Sequence, residues 1–219
     1  MILAALQNMD RIDPELWTQI NARMEPETAE RVRAAVVPRK GLVLAAGRDL
    51  ARRLAASALG VPPENVRLAH EKDGRPFLLV CRQAGPERPA LEVSISHSDP
   101  YLLSAVSDAG IACDIQTIRH FPLEALSGFF AEADLQCIRR AEDPDRMLCR
   151  LWCRQECLIK RFGRACITRQ LVLCDTAELR KQFGIHFLED VSGEDRCLCL
   201  AWTEAAPALA DNQIEWRQV

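Results

Sequence analysis

Apolar and polar residues recur along the chain with periods that divide it into short strands and longer helices. Ile2–Leu6 reads as a strand, and Asp13-Pro14 has the form of an N-cap with a first-turn proline, which opens a helix. A second helix is expected from Glu27 to about Val36, closed by Pro38. The stretch GLVLAAGRDLARRLAASALGV (41–61) repeats apolar residues at helical spacing and closes at Gly60, ahead of Pro62-Pro63. Strands are expected at 66–70, 77–81 and 91–95, set apart by the turn-forming KDGRP and RQAGPERP. Tyr101–Ser107 and residues 111–116 continue the series. PLEALSGFF, AEADLQCIRRA and DPDRMLCRLWCRQECLIKRFG then carry a 3.6-residue period, with Gly163 as the last stop. Strands return at about 170–174, 184–188 and 196–202. Helices precede strands in both halves, an α+β order rather than strict βαβ alternation.

The 219 residues, 48% hydrophobic and 27% charged, suit a soluble globular protein of one large domain or two halves. A net charge of −3 offers no global attraction for nucleic acid or an anionic membrane. MILAALQNMDRID lacks a basic leader, and no apolar run approaches the roughly 18–20 residues of a spanning helix. A cytoplasmic protein is expected. The ten cysteines form no CxxC pair, and Cys149, Cys153 and Cys157 recur every four residues on one helical stripe. That stripe could hold a soft metal, but free cysteine more often packs as a small hydrophobe, and packing is the expectation.

Three places offer chemistry. In CDIQ, Asp114 and Gln116 share one face of a strand and present two oxygens to a hard cation, or to water. In LWCRQECLIKRFG, Trp152, Glu156 and Lys160 form a stripe, which is either half-buried chemistry headed by tryptophan or a surface ion pair. In ISHS, His97 lies between Ser96 and Ser98 in what reads as a polar turn able to donate to an anion. Arg75 adds a cation beside Gly74 in KDGRP. Together they describe a site for a magnesium-bound phosphate compound, with oxygens from Asp114, Glu156 and Gln116 and cations from His97, Arg75 and Lys160. Neither GxSxG nor HExxH is present, which disfavours nucleophilic or zinc chemistry.

These segments, in this order, resemble the large, surfactin-type 4′-phosphopantetheinyl transferases. GRP at 74–76 resembles the family's Gly-Lys-Pro turn, and ISHS at 95–98 its Ile-Ser-His-Ser strand. ACDIQ at 112–116 resembles Gly-Val-Asp-Ile-Glu, and WCRQECLIK at 152–160 resembles Trp-x-x-Lys-Glu-x-x-x-Lys. FFAEADLQCI and MEPETAERVR are similar to two further family segments, so the likeness runs over most of the chain. The resemblance implies two similar α+β halves, 1–107 and 108–219, related by a pseudo-twofold axis with a ligand cleft between them. It implies transfer of the phosphopantetheine arm of coenzyme A to a serine of an acyl or peptidyl carrier protein, releasing 3′,5′-ADP with magnesium assistance. The carrier would be an acidic protein of fatty acid, polyketide or nonribosomal peptide biosynthesis, and the enzyme a monomer without nucleic-acid or membrane partners. Asp114 and Glu156 match metal-binding carboxylates and Glu156 the base; Lys160 and His97 match pyrophosphate contacts, with Ser96 beside them. Gly74, Arg75 and Pro76 match the nucleotide-side turn, and Arg31 a contact to the 3′-phosphate.

The chain departs from that pattern at several positions. Gln116 replaces a third carboxylate, Gln155 a lysine, Ala112-Cys113 a Gly-Val pair, and Val43 and Thr28 two basic residues. Arg39, Lys40 and Arg48 are the nearby cations able to compensate. A weakened member that binds coenzyme A or a carrier without efficient transfer is the alternative. Between Arg139 and Arg164 eight basic residues face four acidic ones, and Arg146, Arg150 and Arg154 form a stripe expected to steer an acidic carrier or simply to be solvated.

Overall fold

Proline and glycine set most helix ends. The computed structural model describes residues 1–71, 74–81, 88–126, 128–190, 193–203 and 214–216. Strand β1 (Ile2–Asn8) leads to α1 (Pro14–Ala22), where Asp13 Oδ1 accepts the Leu16 N–H at 2.7 Å. Helices α2 (Pro26–Arg33) and α3 (Pro38–Leu59) each carry proline in the first turn. Pro38 thus starts the long helix as well as excluding the previous one, since its missing N–H costs nothing in a first turn. Gly60 ends α3 in left-handed backbone, φ 65°, a conformation that β-carbons disfavour. Strands β2 (Val66–His70), β3 (Pro76–Val80), β4 (Arg88–Ser98), β5 (Tyr101–Ser107) and β6 (Ile111–Thr117) follow. Beyond them come α4 (Leu123–Leu126), α5 (Glu132–Arg140), α6 (Pro144–Phe162), α7 (Thr176–Phe183), β7 (Ile185–Asp190), β8 (Arg196–Thr203) and β9 (Ile214–Trp216).

Two compact units result, each with helices beside a sheet whose pairs are antiparallel except β1–β9, and the α+β class is as expected. The first holds Met1–Asp108 and β9, in a sheet ordered β2-β3-β4-β5-β1-β9. Strand β9 pairs parallel to β1, although it lies in the span 108–219 expected as the second half. Helix α3 packs across this sheet with small residues: a Cβ on Gly47 would stand 3.3 Å from Ile95 Cγ2. Its buried charges are satisfied locally. Asp49 accepts from Arg23 and Arg53 at 2.8 Å each, and Arg52 donates to the carbonyls of Val66, Arg23 and Pro63. These bonds fasten α1, α3 and β2 to one another, as buried ions require.

The second unit, residues 109–203, has a sheet ordered β6-β8-β7, with Asp114 opposite Cys199 and Gln116 opposite Cys197. Helix α6 lies on β6 and β8 through the cysteine stripe. Cys149, Cys153 and Cys157 are buried, and their thiols donate to the carbonyls of Thr117, Cys197 and Cys199 at 3.8, 3.7 and 3.6 Å. Burial pushes the Cys153 thiol well above its ordinary range and the Asp114 charge adds to it, so this thiol packs rather than reacts. Among the described residues no group of three or more His, Cys, Asp or Glu is arranged to hold a metal.

Two expectations change here. Residues 170–174 form no strand: the buried Asp134 carboxylate accepts the Leu173 and Cys174 N–H groups at 2.9 and 2.8 Å, doing for that backbone what a sheet neighbour would. Helix α7 follows, with signals present in DTAELRKQFG: Asp175 accepts the Glu178 N–H at 3.0 Å, and Gly184 caps in left-handed backbone. The arginine stripe of α6 is also not a free docking face. Arg146 donates to the carbonyls of Gly193 and Glu194, Arg150 to Glu189 at 2.9 Å, and Arg154 to both Glu189 and the Leu173 carbonyl. Among the described residues no helix is long and apolar enough to cross a membrane.

Glu189 joins β7 to two arginines of α6, and its side chain is 12% exposed. Burial acts to raise its pKa, but the hydrogen bonds and charges of Arg154 and Arg150 outweigh burial and hold it below the ordinary carboxylate range. Its stabilisation is therefore full above the unfolded carboxylate value and is lost as pH falls through the lower folded value. Glu189→Gln should cost about 3–5 kcal/mol at pH 7, the range for breaking a buried pair. In urea melts the variant should also lose less stability than the wild type on going to acid; parallel pH curves would show that the pair carries no such linkage.

Candidate active site

The sequence-selected residues of the second unit come together on β6 and α6. Asp114 is buried on β6, and Lys160 Nζ, two turns beyond Trp152 on α6, donates to its Oδ1 at 2.7 Å and to the Cys113 carbonyl at 2.8 Å. The lysine's partner is the strand carboxylate, so the simple Glu156–Lys160 surface pair is not what organises the stripe. Burial works to lower the Lys160 pKa, but Asp114 outweighs it, and the ammonium is held charged above its ordinary range. Glu156, half-buried one turn before Lys160, is close enough to Asp114 to feel its charge. Burial raises the Glu156 pKa, Asp114 adds to the rise, and Lys160 and Arg164 oppose it without cancelling it.

Trp152 heads the stripe against two rings, with centroids 6.1 Å from Phe129 and 6.4 Å from Phe130. These contacts fix the rotation of α6, which points Glu156 and Lys160 along the same side as β6. The pairing of sequence-distant FF and W could be read only as two apolar signals; their contact needed the fold. Gln155, by contrast, turns inward: it is buried and its Oε1 has no hydrogen-bond partner among the described residues. It lies outside the carboxylate cluster.

Asp114 and Glu156, beside a half-exposed Gln116 on the same strand face as Asp114, form a hard-oxygen donor set in which burial and then the Asp114 charge raise the Glu156 pKa. That chemistry fits a magnesium ion, which favours carboxylates with remaining positions left to water and phosphate. Asp114 and Glu156 are the residues that would hold it, with Gln116 as a neutral oxygen.

In the first unit the expected turn is not where the serines are. Ser96, His97 and Ser98 are the last residues of β4, paired with Leu103, Leu102 and Tyr101, and the turn itself is Asp99-Pro100. Ser96 and Ser98 are buried on one face, while His97 is exposed on the other, shared with Leu91 and Val93. Ser96 and His97 therefore do not form one polar corner. Gly74, at φ 88°, closes a turn in which its N–H reaches the Glu71 carbonyl at 2.9 Å, leaving Arg75 exposed ahead of Pro76 at the start of β3. Arg31 is exposed on α2, 4.0 Å from Glu27. Arg39 is committed elsewhere, to Asp99 and Asp10 at 2.7 and 2.8 Å. Val43 packs against the core of the first unit.

Residues 12–108 match the family described as "4'-phosphopantetheinyl transferase, N-terminal", and residues 110–204 match "4'-phosphopantetheinyl transferase superfamily". The two matches together span most of the chain, and the protein belongs to the 4′-phosphopantetheinyl transferase superfamily. Among curated proteins it is similar to 4'-phosphopantetheinyl transferase psf-1 of Bacillus pumilus, 29% identical over 138 residues, 62% of this chain and 55% of that protein. The 4'-phosphopantetheinyl transferase of Bacillus subtilis is 26% identical over 121 residues, 54% of this chain and 50% of the relative. The human L-aminoadipate-semialdehyde dehydrogenase-phosphopantetheinyl transferase is 26% identical over 159 residues, 67% and 50% of the two chains. The matched stretches cover about half the length of these relatives.

The Asp114–Lys160 pair gives a direct test of the cluster. Lys160→Met should destabilise the protein by about 3 kcal/mol by leaving Asp114 buried and unpaired. Adding Asp114→Asn should recover part of that loss. Additive losses in chemical denaturation would show that the two groups do not act as a pair.

Proposed function

We propose that this protein transfers the 4′-phosphopantetheine arm of coenzyme A to a serine hydroxyl of an acyl or peptidyl carrier protein. The serine Oγ–phosphorus bond forms, the bond from that phosphorus to the pyrophosphate bridge oxygen breaks, and 3′,5′-ADP leaves. The observation that carries this reading is the Asp114–Glu156–Lys160 cluster, two carboxylates and a charged lysine on adjoining elements of one unit.

Glu156 is the base. Its raised proton affinity makes it a better acceptor of the serine proton than a free carboxylate, and the proton passes to a carboxylate oxygen as Oγ attacks. Lys160, kept charged by Asp114, supplies positive potential for the pyrophosphate, and His97 with Arg75 does the same from the first unit. Gly74 and Pro76 shape the turn that carries Arg75, Ser96 braces β4 from its buried face, and Arg31 meets the nucleotide-side phosphate. Magnesium, when bound at Asp114 and Glu156 with Gln116 nearby, would neutralise charge on the leaving pyrophosphate oxygens. In-line displacement needs little beyond such positioning and neutralisation.

On this reading the protein is a large, surfactin-type transferase, one lobe formed by Met1–Asp108 with β9 and the other by residues 109–203. The protein acts as a cytoplasmic monomer on an acidic carrier of fatty acid, polyketide or nonribosomal peptide synthesis. The ten free thiols are in keeping with a reducing compartment.

Intact-mass analysis of an apo carrier protein, incubated with this protein, coenzyme A and magnesium, should show the gain of one phosphopantetheine. Glu156→Gln should slow that gain at least 100-fold while leaving coenzyme A binding within about threefold. Binding of coenzyme A with no mass gain in the wild type would instead identify the binder without efficient transfer that Gln116 suggests.

A further inference from the structure

Not all of the protein's thiols are sealed in the layer under α6. Cys137, on α5, and Cys174, just ahead of α7, are both half-buried, so each keeps a path to solvent. Asp134 brings them together. It is fully buried on α5, and its two carboxylate oxygens accept the Leu173 and Cys174 N–H groups at 2.9 and 2.8 Å. That pair of bonds clamps residues 173 and 174 against the helix. Cys137 is three residues further along α5, so it stands beside Asp134 on the same face, about 5–6 Å away between β-carbons. The Cys174 thiol accordingly donates to the Asp134 carboxylate and meets the Cys137 thiol within hydrogen-bond reach. A disulfide forms only where the backbone already holds two cysteines near one another, and the clamp keeps the Cys174 side from drifting.

Another thiol pair in contact differs in access. Cys157 and Cys199 also hydrogen-bond, but both are 0% exposed and lie in the packed layer between α6 and its sheet. An oxidant does not reach them in the folded protein. At the half-buried pair the two members have unequal roles. Burial pushes the Cys174 thiol up to about 12, the Asp134 bond and charge add to the rise, and Cys137 follows. Cys174 is therefore kept protonated and does not open an exchange. Cys137 opens it, and Cys174, already in contact, closes it.

We propose that Cys137 and Cys174 form a thiol–disulfide exchange site that takes low-molecular-weight disulfides, of which oxidised glutathione is the simplest probe. The Cys137 thiolate, its proton given up to water, attacks one sulfur of the small disulfide. A mixed disulfide forms and one small thiolate leaves. Cys174 Sγ then attacks Cys137 Sγ, and its proton passes through the Asp134 carboxylate to the second small thiolate as that departs. Two protein thiols are oxidised to one disulfide, and one small disulfide is reduced to two thiols. The product ties α5 to the segment ahead of α7. In a reducing compartment such a bond is transient, formed and reversed with the thiol pool. The site stands apart from the transferase reading, since none of its three side chains belongs to the Asp114–Glu156–Lys160 cluster.

The full-length protein, fully reduced and then equilibrated under argon with graded ratios of oxidised to reduced glutathione, gives the test. After an acid quench its intact mass should be lower by two hydrogens, and N-ethylmaleimide should label two fewer of the ten cysteines. Peptide maps made without reduction should join the peptides that carry Cys137 and Cys174. In the native protein this bond should form at an oxidant ratio about tenfold or more below that needed by the same chain unfolded in urea, because contact raises effective concentration. Cys174→Ser should trap one glutathione on Cys137, whereas Cys137→Ser should leave Cys174 unmodified at the same ratio. Oxidation confined to other cysteines, or a disulfide between two copies of the chain, overturns the proposal. So does equal oxidation of native and unfolded chains, or glutathione trapped on Cys174 in Cys137→Ser. The wild-type map decides even where a serine variant does not fold.

Discussion

A carboxylate buried on a strand needs a counterion, and in this protein that need organises the second unit. Asp114 lies inside the layer between β6 and α6, where an unpaired charge would cost several kcal/mol. Lys160 meets it from the last turn of α6 and at the same time bonds the Cys113 carbonyl, so one ammonium registers helix against strand. Glu156 follows from that registration, since it is one turn back on the same face. The ring contacts of Trp152 set the helix's rotation, and the Glu189–Arg154 bonds hold its other side to β7. The candidate site and the fold therefore share the same atoms.

The first unit uses the opposite economy. Its long helix α3 keeps Asp49 and Arg52 fully partnered, whereas Arg48, one residue from Asp49, is left with a hydroxyl and a distant carboxylate. Neighbouring positions on one helix thus differ in how closely their charges are paired. The two units present their cations differently. Lys160 is anchored to a carboxylate, while Arg48 bonds a threonine hydroxyl.

Much of this was legible in the sequence where local chemistry decided the outcome. Asp13-Pro14, Gly60 and Gly163 end or begin helices for reasons that lie within a few residues, and the runs Tyr101–Ser107 and 111–116 are the strands β5 and β6. The pairing of CDIQ with WCRQECLIK was implied by the family resemblance rather than by periodicity, and the structure joins them through Asp114 and Lys160. What the sequence withheld depended on distant partners. Residues 170–174 look like a strand until Asp134 supplies their hydrogen bonds from α5. The arginine stripe reads as a solvent face until Glu189 and three loop carbonyls claim it. The serines of ISHS read as a turn because Asp99-Pro100, one step later, makes the turn instead. Arg48 could be named as a nearby cation, but its burial against Thr28 was invisible without the packing of α2 on α3.

The cysteine layer acts as a shim. Thiols at 149, 153 and 157 are small enough to let α6 settle until each sulfur touches a carbonyl of the sheet beneath. The gap between a helix-borne Glu156 and a strand-borne Asp114 is thereby dictated by the thickness of a sulfur atom. Bulkier aliphatic side chains in that layer would lift the helix and part the carboxylates without altering either one.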